Sequence, residues 1–544
     1  TADNSFTGTT TVNAGTLAIG DSAHPSATLS GGGTVSVMSG ATFGGYGHVA
    51  GSVNNSGTIA VGDAIAAFAG QGVGTFSIDG TLTNAGTVQL ADAVGNRLVV
   101  RSYAGSGGQI VMNAALAGDD SPSDQLVLNG GAATGQSVLR VINVGGAGAA
   151  TPGNGIRLVD ATGGATTTSD AFSLGNRLMA GPYEYTLFRG SRDASAPDSW
   201  FLRSELIDLP AEPPPTLPDY RPEVSLDTAV PSMALNDGLL LVGSLHERVG
   251  DEMLLQRTGE AGGPSGVWTR LIGQDSRWHA ETGGIYADGP SFANRTFAVQ
   301  AGLDLYRNER RSGHRDYLGV QASAGTDDGR VDHRDGSLAG RVDANAQSLG
   351  AYWTHFGPRG WYVDTVLLGT WHDIDTTSAS MYALSTDGFF TSASLESGYP
   401  LHLHDGWSVE PQAQVIWQEG DLDDASDTAA EVRFSNIDSL TARIGARVAR
   451  TWSLGATAAD GQMSVWALAN VWREFESNAR TEFSAEDGFV PFHSDLRGTW
   501  GEIGAGMSVQ VTDKLSAYWT VGYQRGFDDG IRSFNGNVGV RVNW

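Results

Sequence analysis

The stretch Pro231-Ser232-Met233-Ala234-Leu235-Asn236-Asp237-Gly238-Leu239-Leu240-Leu241-Val242-Gly243-Ser244-Leu245-His246-Glu247-Arg248-Val249-Gly250-Asp251 decides how the rest of the chain is read. Leu235, Leu239, Val242, Leu245, Val249 and Met253 recur at intervals of three and four, while Asp237, Ser244, Glu247, Arg248, Asp251 and Glu252 take other faces. That is helical periodicity. Upstream, Pro210, Pro213, Pro214, Pro215, Pro218, Pro222 and Pro231 oppose regular structure and favour extended polyproline geometry. The connector from Leu209 therefore reads as a stiff spacer that becomes an amphipathic helix after Pro231. A helix of roughly 25 residues running to Arg257 would be about 38 Å long, longer than a membrane's hydrocarbon core is thick.

Composition narrows the classes. The 544 residues include 75 glycines and only 17% charged side chains, which points to turn-dense β structure with length for several cores. There is no cysteine, so disulfides, thiolate metal sites and cysteine nucleophiles are excluded. The net charge is −27, and Lys514 is the one lysine among 33 basic residues. Nucleic-acid binding is set aside, because neutralising phosphates needs clustered Lys and Arg. No apolar run reaches the 18 or so residues of a transmembrane helix, so a membrane role must come from strands. The first residues lack a basic n-region and an apolar h-region, so Thr1 reads as the middle of a longer precursor.

Ahead of the connector the chain repeats itself. Asn13-Ala14-Gly15-Thr16-Leu17, Asn55-Ser56-Gly57-Thr58-Ile59 and Asn84-Ala85-Gly86-Thr87-Val88 each place a tight turn before a short strand. Irregular repetition of such units is the signature of a solenoid, here a parallel β-helix; a β-sandwich with Gly-rich turns would carry a similar pattern. From Leu98 to about Ser204 the strands lengthen, as in Ser123-Asp124-Gln125-Leu126-Val127-Leu128 and Tyr183-Glu184-Tyr185-Thr186-Leu187-Phe188.

After Gly266 twelve strands are expected: 267–274, 295–306, 316–326, 341–356, 359–371, 387–400, 407–418, 432–451, 462–475, 496–511, 514–525 and 534–544. Phe297, Val299, Ala301, Leu303 and Leu305 share a face opposite Gln300, Gly302, Asp304 and Tyr306. Apolar-out, polar-in alternation over about ten residues is the signature of a transmembrane barrel, and an antiparallel sandwich with one wet face alternates in the same way. Trp361, Tyr362, Trp371, Trp407, Trp417, Trp472, Trp500 and Trp519 lie near strand ends, as interfacial girdles would.

The motif Leu245 to Asp251, followed by Gly266-Val267-Trp268-Thr269-Arg270, resembles the helix-to-first-strand junction of single-chain, monomeric autotransporters of type V secretion. The segment with Gly145-Gly146-Ala147-Gly148 and Trp200-Phe201-Leu202 resembles the pertactin-like end of their passengers. The resemblance implies an all-β chain: a right-handed parallel β-helix stem over 1–97, an autochaperone and capping region over 98–208, a Pro-rich linker and pore helix over 209–258, and a 12-stranded antiparallel transmembrane β-barrel over 259–544. The barrel would lie in the bacterial outer membrane and enable display of its own passenger at the cell surface. A virulence-type adhesin or immune-evasion factor is the expected passenger, with display of an upstream protease or esterase as the alternative. The implied partners are the outer-membrane barrel assembly machinery, periplasmic chaperones and the lipid bilayer; the barrel is expected to be monomeric and the passenger's host ligand is unknown. The end Val538-Gly539-Val540-Arg541-Val542-Asn543-Trp544 resembles that family's assembly signal, with Val538, Val540, Val542 and Trp544 as its apolar positions.

A search for chemistry returns little. A twelve-stranded pore has room for one helix, so Leu235, Leu239, Val242, Leu245, Arg248, Val249 and Arg257 are expected inside it. Arg248 and Arg257 would then meet lumen carboxylates such as Asp304 and Glu502, with solvation by pore water as the alternative. Some autotransporters cleave their passenger by cyclisation of a helix Asn. The resemblance places that Asn where this chain has Gly243-Ser244-Leu245, so the Asn is missing. Asn236, followed by Asp237, is the remaining cleavage candidate, and reads more simply as a helix-start or surface residue. No hydrolase elbow, zinc motif or phosphate loop is present, the Asp421 cluster lacks EF-hand spacing, and His402 and His404 read as turn residues. No enzyme, cofactor or metal is expected.

Overall fold

The structure, a computed structural model, describes every residue except 1, 207–216, 252–264, 280–282, 456–460, 495, 497, 513 and 528–529. The chain forms two compact units, residues 1–221 with 484–489, and residues 222–483 with 490–544.

In the first unit the repeats become successive rungs of a parallel β-helix. Leu17 pairs with Phe43, Phe43 with Ile59, Ile59 with Val88, Val88 with Ile110 and Ile110 with Leu139, all in parallel register. One aliphatic or aromatic side chain per rung thus stacks on the next, and Phe43, Ile59, Val88, Ile110 and Leu139 are fully enclosed. The repeat asparagines turn inward where their turns stack. Asn55 Nδ2 donates to Asn84 Oδ1 (2.8 Å), Asn84 Nδ2 to the Tyr103 hydroxyl (3.0 Å), and that hydroxyl meets Ser137 Oγ (2.7 Å). Buried polar groups are tolerated because each satisfies the next. The open end of a solenoid would expose its last rung. Here Trp200–Arg203 turns back antiparallel onto both Ile156–Thr162 and Tyr183–Arg189, and Trp200 packs edge-on against Phe172.

In the second unit twelve long antiparallel strands close on themselves: β1 (Gly266–Trp278), β2 (Ser291–Glu309), β3 (Arg315–Asp332), β4 (Leu338–Phe356), β5 (Tyr362–Ser378), β6 (Ala383–Gly398), β7 (Trp407–Leu422), β8 (Glu431–Ser453), β9 (Gln462–Ala485), β10 (Gly498–Gln510), β11 (Leu515–Gly526) and β12 (Ile531–Asn543). Closure is made by β1, which pairs along its whole length with β2 on one side and β12 on the other. Most strands outrun the apolar alternation that signals them. Their outward positions become charged toward one end, at Arg295, Asp328, Asp343, Asp373 and Asp375, while backbone pairing continues. Pairing needs only backbone, whereas apolar side chains are required only where the wall meets hydrocarbon.

Two readings of facing are corrected. A bulge after Asp304 turns both Leu305 and Tyr306 outward, so Tyr306 does not share the lumen face. Trp371, Trp407, Trp417 and Trp519 are outward and exposed, but Tyr362 and Trp500 are buried, and Trp472 stacks on Trp500 inside the barrel.

Candidate translocation pore and its helical plug

The helix begins earlier than periodicity predicts and is broken in two. α1 spans Pro222–Val242 and α2 Leu245–Val249. Pro222 opens α1 because the first helical position needs no N–H donor, and Pro231 lies within it. Gly243, at φ +56°, ends α1 in the left-handed region where glycine costs least. α2 restarts with a capping box: Glu247 N–H donates to Ser244 Oγ (3.3 Å) and Ser244 N–H to Glu247 Oε2 (2.8 Å). Every residue from Glu223 to Gly238 is buried, so α1 has no solvent face. Its polar side chains look outward to a polar barrel lining instead of to water.

Leu235, Val242, Leu245 and Val249 are buried, and Leu239 is partly buried. Arg257 lies outside the described residues, as do Pro210, Pro213, Pro214, Pro215 and Met253. Leu241 and Val242 pack on Ile272, Ala298, Leu368 and Ile416, while Leu245 and Val249 pack on Trp268, Tyr317 and Tyr352. The helix approaches the wall where side chains are absent. A Cβ on Gly238 would fall 1.9 Å from Gln418 Oε1, and one on Gly329 would fall 2.2 Å from Met233 Cε.

The backbone carbonyls at the end of α1 lack helical partners and are met by the wall. Arg270 Nη2 (3.0 Å) and Gln300 Nε2 (3.1 Å) donate to Leu241 O, and Gln414 Nε2 donates to Gly243 O (2.9 Å). Arg270 is itself held by Gln300 Oε1 at 2.8 Å. Higher in the pore, Gln418 Nε2 donates to Leu235 O (3.1 Å) and Thr376 Oγ1 to Asp227 Oδ1 (2.9 Å).

α2 carries the charges. Arg248 makes a two-pronged pair with Asp364, at 3.0 Å and 2.6 Å, with its guanidinium 4.6 Å from the Tyr352 ring centre. His246 Nε2 meets Glu410 Oε1 (2.8 Å), Leu245 N–H donates to Glu396 Oε2 (2.8 Å), and Asp251 pairs with Arg447 (2.9 Å). Tyr518 donates to the Arg248 carbonyl (2.5 Å). For Arg248 the expected partners are therefore corrected. Asp304 pairs with Arg541 from β12 and accepts from Tyr352 (2.6 Å), while Glu502 accepts from Asn470 and Trp472 (both 2.7 Å). The residues that do hold the helix, Asp364, Glu396, Glu410 and Arg447, were open to detection as charges at lumen-facing positions of alternating strands. Which of them meets Arg248 depends on strand register, which no local pattern encodes.

Asn236 is likewise neither at a helix start nor on the surface. It is buried in mid-α1, with Nδ2 donating to Gln274 Oε1 (3.1 Å). Beside it the Thr296 hydroxyl lies between Asp237 Oδ1 (2.9 Å) and Asp327 Oδ1 (3.1 Å). A cavity of about 70 Å³ remains next to the α1–α2 break, lined by Asn236, Glu247, Arg270, Trp472 and Glu502 among others. It is polar and large enough for water. Val538, Val540, Val542 and Trp544 point outward from the wall.

Residues 267–522 match the family described as Autotransporter beta-domain, and residues 77–187 match Autochaperone Domain Type 1. The adhesin BmaC autotransporter of Brucella suis is 29% identical over 485 residues, covering 83% of this chain and 14% of that protein. The autotransporter adhesin AIDA-I of Escherichia coli is 25% identical over 472 residues, covering 83% of this chain and 34% of that protein. The solved transport unit of AIDA-I superposes with a TM-score of 0.49 at 19% identity, over 60% of this chain and all of that one. This chain thus spans a minor part of both adhesins. The chain carries an autotransporter β-domain and an autochaperone domain, with its barrel in the bacterial outer membrane and its β-helical passenger at the cell surface.

Proposed function

We propose that the chain acts as an anchored, uncleaved display protein whose passenger is an adhesin, and that it has no enzymatic activity of its own. The observation that carries anchoring is the fixing of α2. The side chains of His246, Arg248 and Asp251 each bond to the barrel wall, as do the backbone N–H of Leu245 and carbonyl of Arg248. Self-cleavage at Asn236 would need its amide nitrogen to reach its own backbone carbonyl carbon. That nitrogen is instead engaged by Gln274 inside a helix. The adhesin reading is supported by the likeness to the adhesins BmaC and AIDA-I. Export would be driven by passenger folding from the capped end, because rungs stabilise one another only as neighbours, and assembly by recognition of the β12 strand through edge addition.

The test places an epitope ahead of Thr1 on intact cells, reads the protein's mass from the same membranes, and counts cells bound to host tissue. Surface signal at full mass with host-cell adhesion is expected. A separate barrel-sized fragment overturns the uncleaved reading, and an epitope reached only after the outer membrane is broken overturns display. Adhesion unchanged by deletion of the passenger overturns the adhesin reading.

A further inference from the structure

At the end where α1 enters, near His333 and Thr376, the outward rows carry both signs, with Asp328 directly opposite Asp343 and Arg330 opposite Arg341. At the other end, where α2 stops and the passenger is farthest along the chain, the turn Arg307-Asn308-Glu309-Arg310-Arg311-Ser312-Gly313-His314-Arg315 holds four arginines in nine residues. That concentration occurs in a chain of net charge −27. This is the periplasmic end, since the passenger is displayed outside.

The turn borders a groove of about 960 Å³, closed on its other sides by the turns at 357–360 and 399–403. Arg307, Arg315, Arg359 and His402 line it, with the single carboxylate Glu309, which is held by Arg307 at 3.2 Å. Arg315 is buried against Phe356, its guanidinium 5.0 Å from the ring centre. Neither Arg315 nor Arg359 has a carboxylate partner among the described residues. The same groove presents Leu401 and Leu403, 49% and 57% exposed. Trp353 and Trp407 are exposed at the same end of their strands, as residues at a headgroup boundary are.

Cationic side chains and uncovered leucines in one groove at bilayer level fit a ligand with an anionic head and an apolar tail. A guanidinium offers parallel donors to a phosphate and loses less to dehydration than an ammonium does. We propose that this periplasmic groove holds the phosphate headgroup of an anionic phospholipid of the inner leaflet, with Arg315 and Arg359 on the phosphate and Leu401 and Leu403 against an acyl chain. Basic pockets at membrane surfaces recognise such headgroups elsewhere. The barrel would then carry a lipid at its periplasmic mouth as part of its seat in the membrane.

The test is native mass spectrometry of the full chain, delipidated in detergent and titrated with dioleoylphosphatidylglycerol, dioleoylphosphatidylcholine or glycerol phosphate. Phosphatidylglycerol is expected to bind at a concentration about tenfold lower than phosphatidylcholine. Arg315→Gln with Arg359→Gln removes that preference, and Arg359→Gln alone, in an exposed turn, weakens it. Arg277→Gln with Arg532→Gln, at the opposite end, leaves it intact. Heat-modifiable gel mobility confirms that each variant keeps a folded barrel. Equal binding of both lipids, a preference that survives loss of Arg359, or one lost with Arg277 and Arg532, overturns the proposal. Displacement by glycerol phosphate at equal concentration also overturns it, by showing a site for soluble phosphate esters.

Discussion

Arg248 is held on both prongs by Asp364, and both are almost fully enclosed. Removing one member of a buried pair leaves the other charged, unpaired and dehydrated, which costs about 3–5 kcal/mol. Arg248→Met should therefore lower the barrel's denaturant midpoint strongly, whereas Arg248→Met with Asp364→Leu should recover most of the loss. Equal midpoints for the single and double variants would show that the pair is not what holds α2. In the passenger, Asp124 accepts from the Gly95, Asn96 and Asn113 backbone N–H groups at 2.8, 2.8 and 2.6 Å. Burial nevertheless pushes its carboxyl up to about 6 from 3.8. An acid whose pKa is higher folded than unfolded holds its proton better when folded. Its contribution is thus complete below the unfolded value and is lost as pH rises through about 6. Hydrogen exchange at the amides of 95, 96 and 113, corrected for intrinsic rates, should show opening becoming easier from pH 4 to 6.5. Asp124→Asn should remove that dependence and destabilise at every pH, since an amide cannot accept all three bonds.

Helix and solenoid each depend on a local device. The break between α1 and α2 depends on Gly243 and on the Ser244–Glu247 box. Ser244→Ala should weaken α2 by about 1 kcal/mol. Gly243→Ala should do more, because its Cβ would lie 2.9 Å from Arg270 Nη1 and displace the group that caps Leu241 O. Faster exchange of the 239–243 amides in Gly243→Ala than in Ser244→Ala is the expected order. In the solenoid, Asn84→Ala leaves Asn55 Nδ2 without its 2.8 Å acceptor in the core, at a cost of about 1–3 kcal/mol. Both devices rest on residue types that local sequence displays. The turns that the repeat asparagines open were readable because that job is done within a few residues, whereas the break at Gly243 was not read, since the apolar period runs on through it.

Across the whole molecule, the closed wall and the enclosed helix are interdependent. A twelve-stranded barrel is too wide to be filled by its own side chains, and the helix supplies the missing interior. Deleting residues 222–251 should turn a nearly closed pore into an open one, read as a several-fold rise in single-channel conductance in planar bilayers. Unchanged conductance would mean that the lumen collapses without its helix. The twelve strands themselves were legible, because lipid on one side and a polar lumen on the other impose a two-residue period on every strand. Their outer ends were not legible, because above the apolar band hydrogen bonding alone sustains pairing and leaves no compositional trace.

Taken alone, the order of residues determined the stem's repeats, the presence of a helix near Leu235–Val249, the count of twelve strands and the autotransporter resemblance. These rest on periodicity and turn chemistry, which act over short distances along the chain. Tertiary structure decided that α1 starts at Pro222 and breaks at Gly243, that Asn236 is buried, and that Arg248 meets Asp364 and not Asp304 or Glu502. The Arg248–Asp364 pair joins residues more than a hundred positions apart, and the Asn236–Gln274 bond residues on different elements. They follow from strand register and from the depth at which the helix lies in the pore, and both are set by the summed packing of the closed barrel.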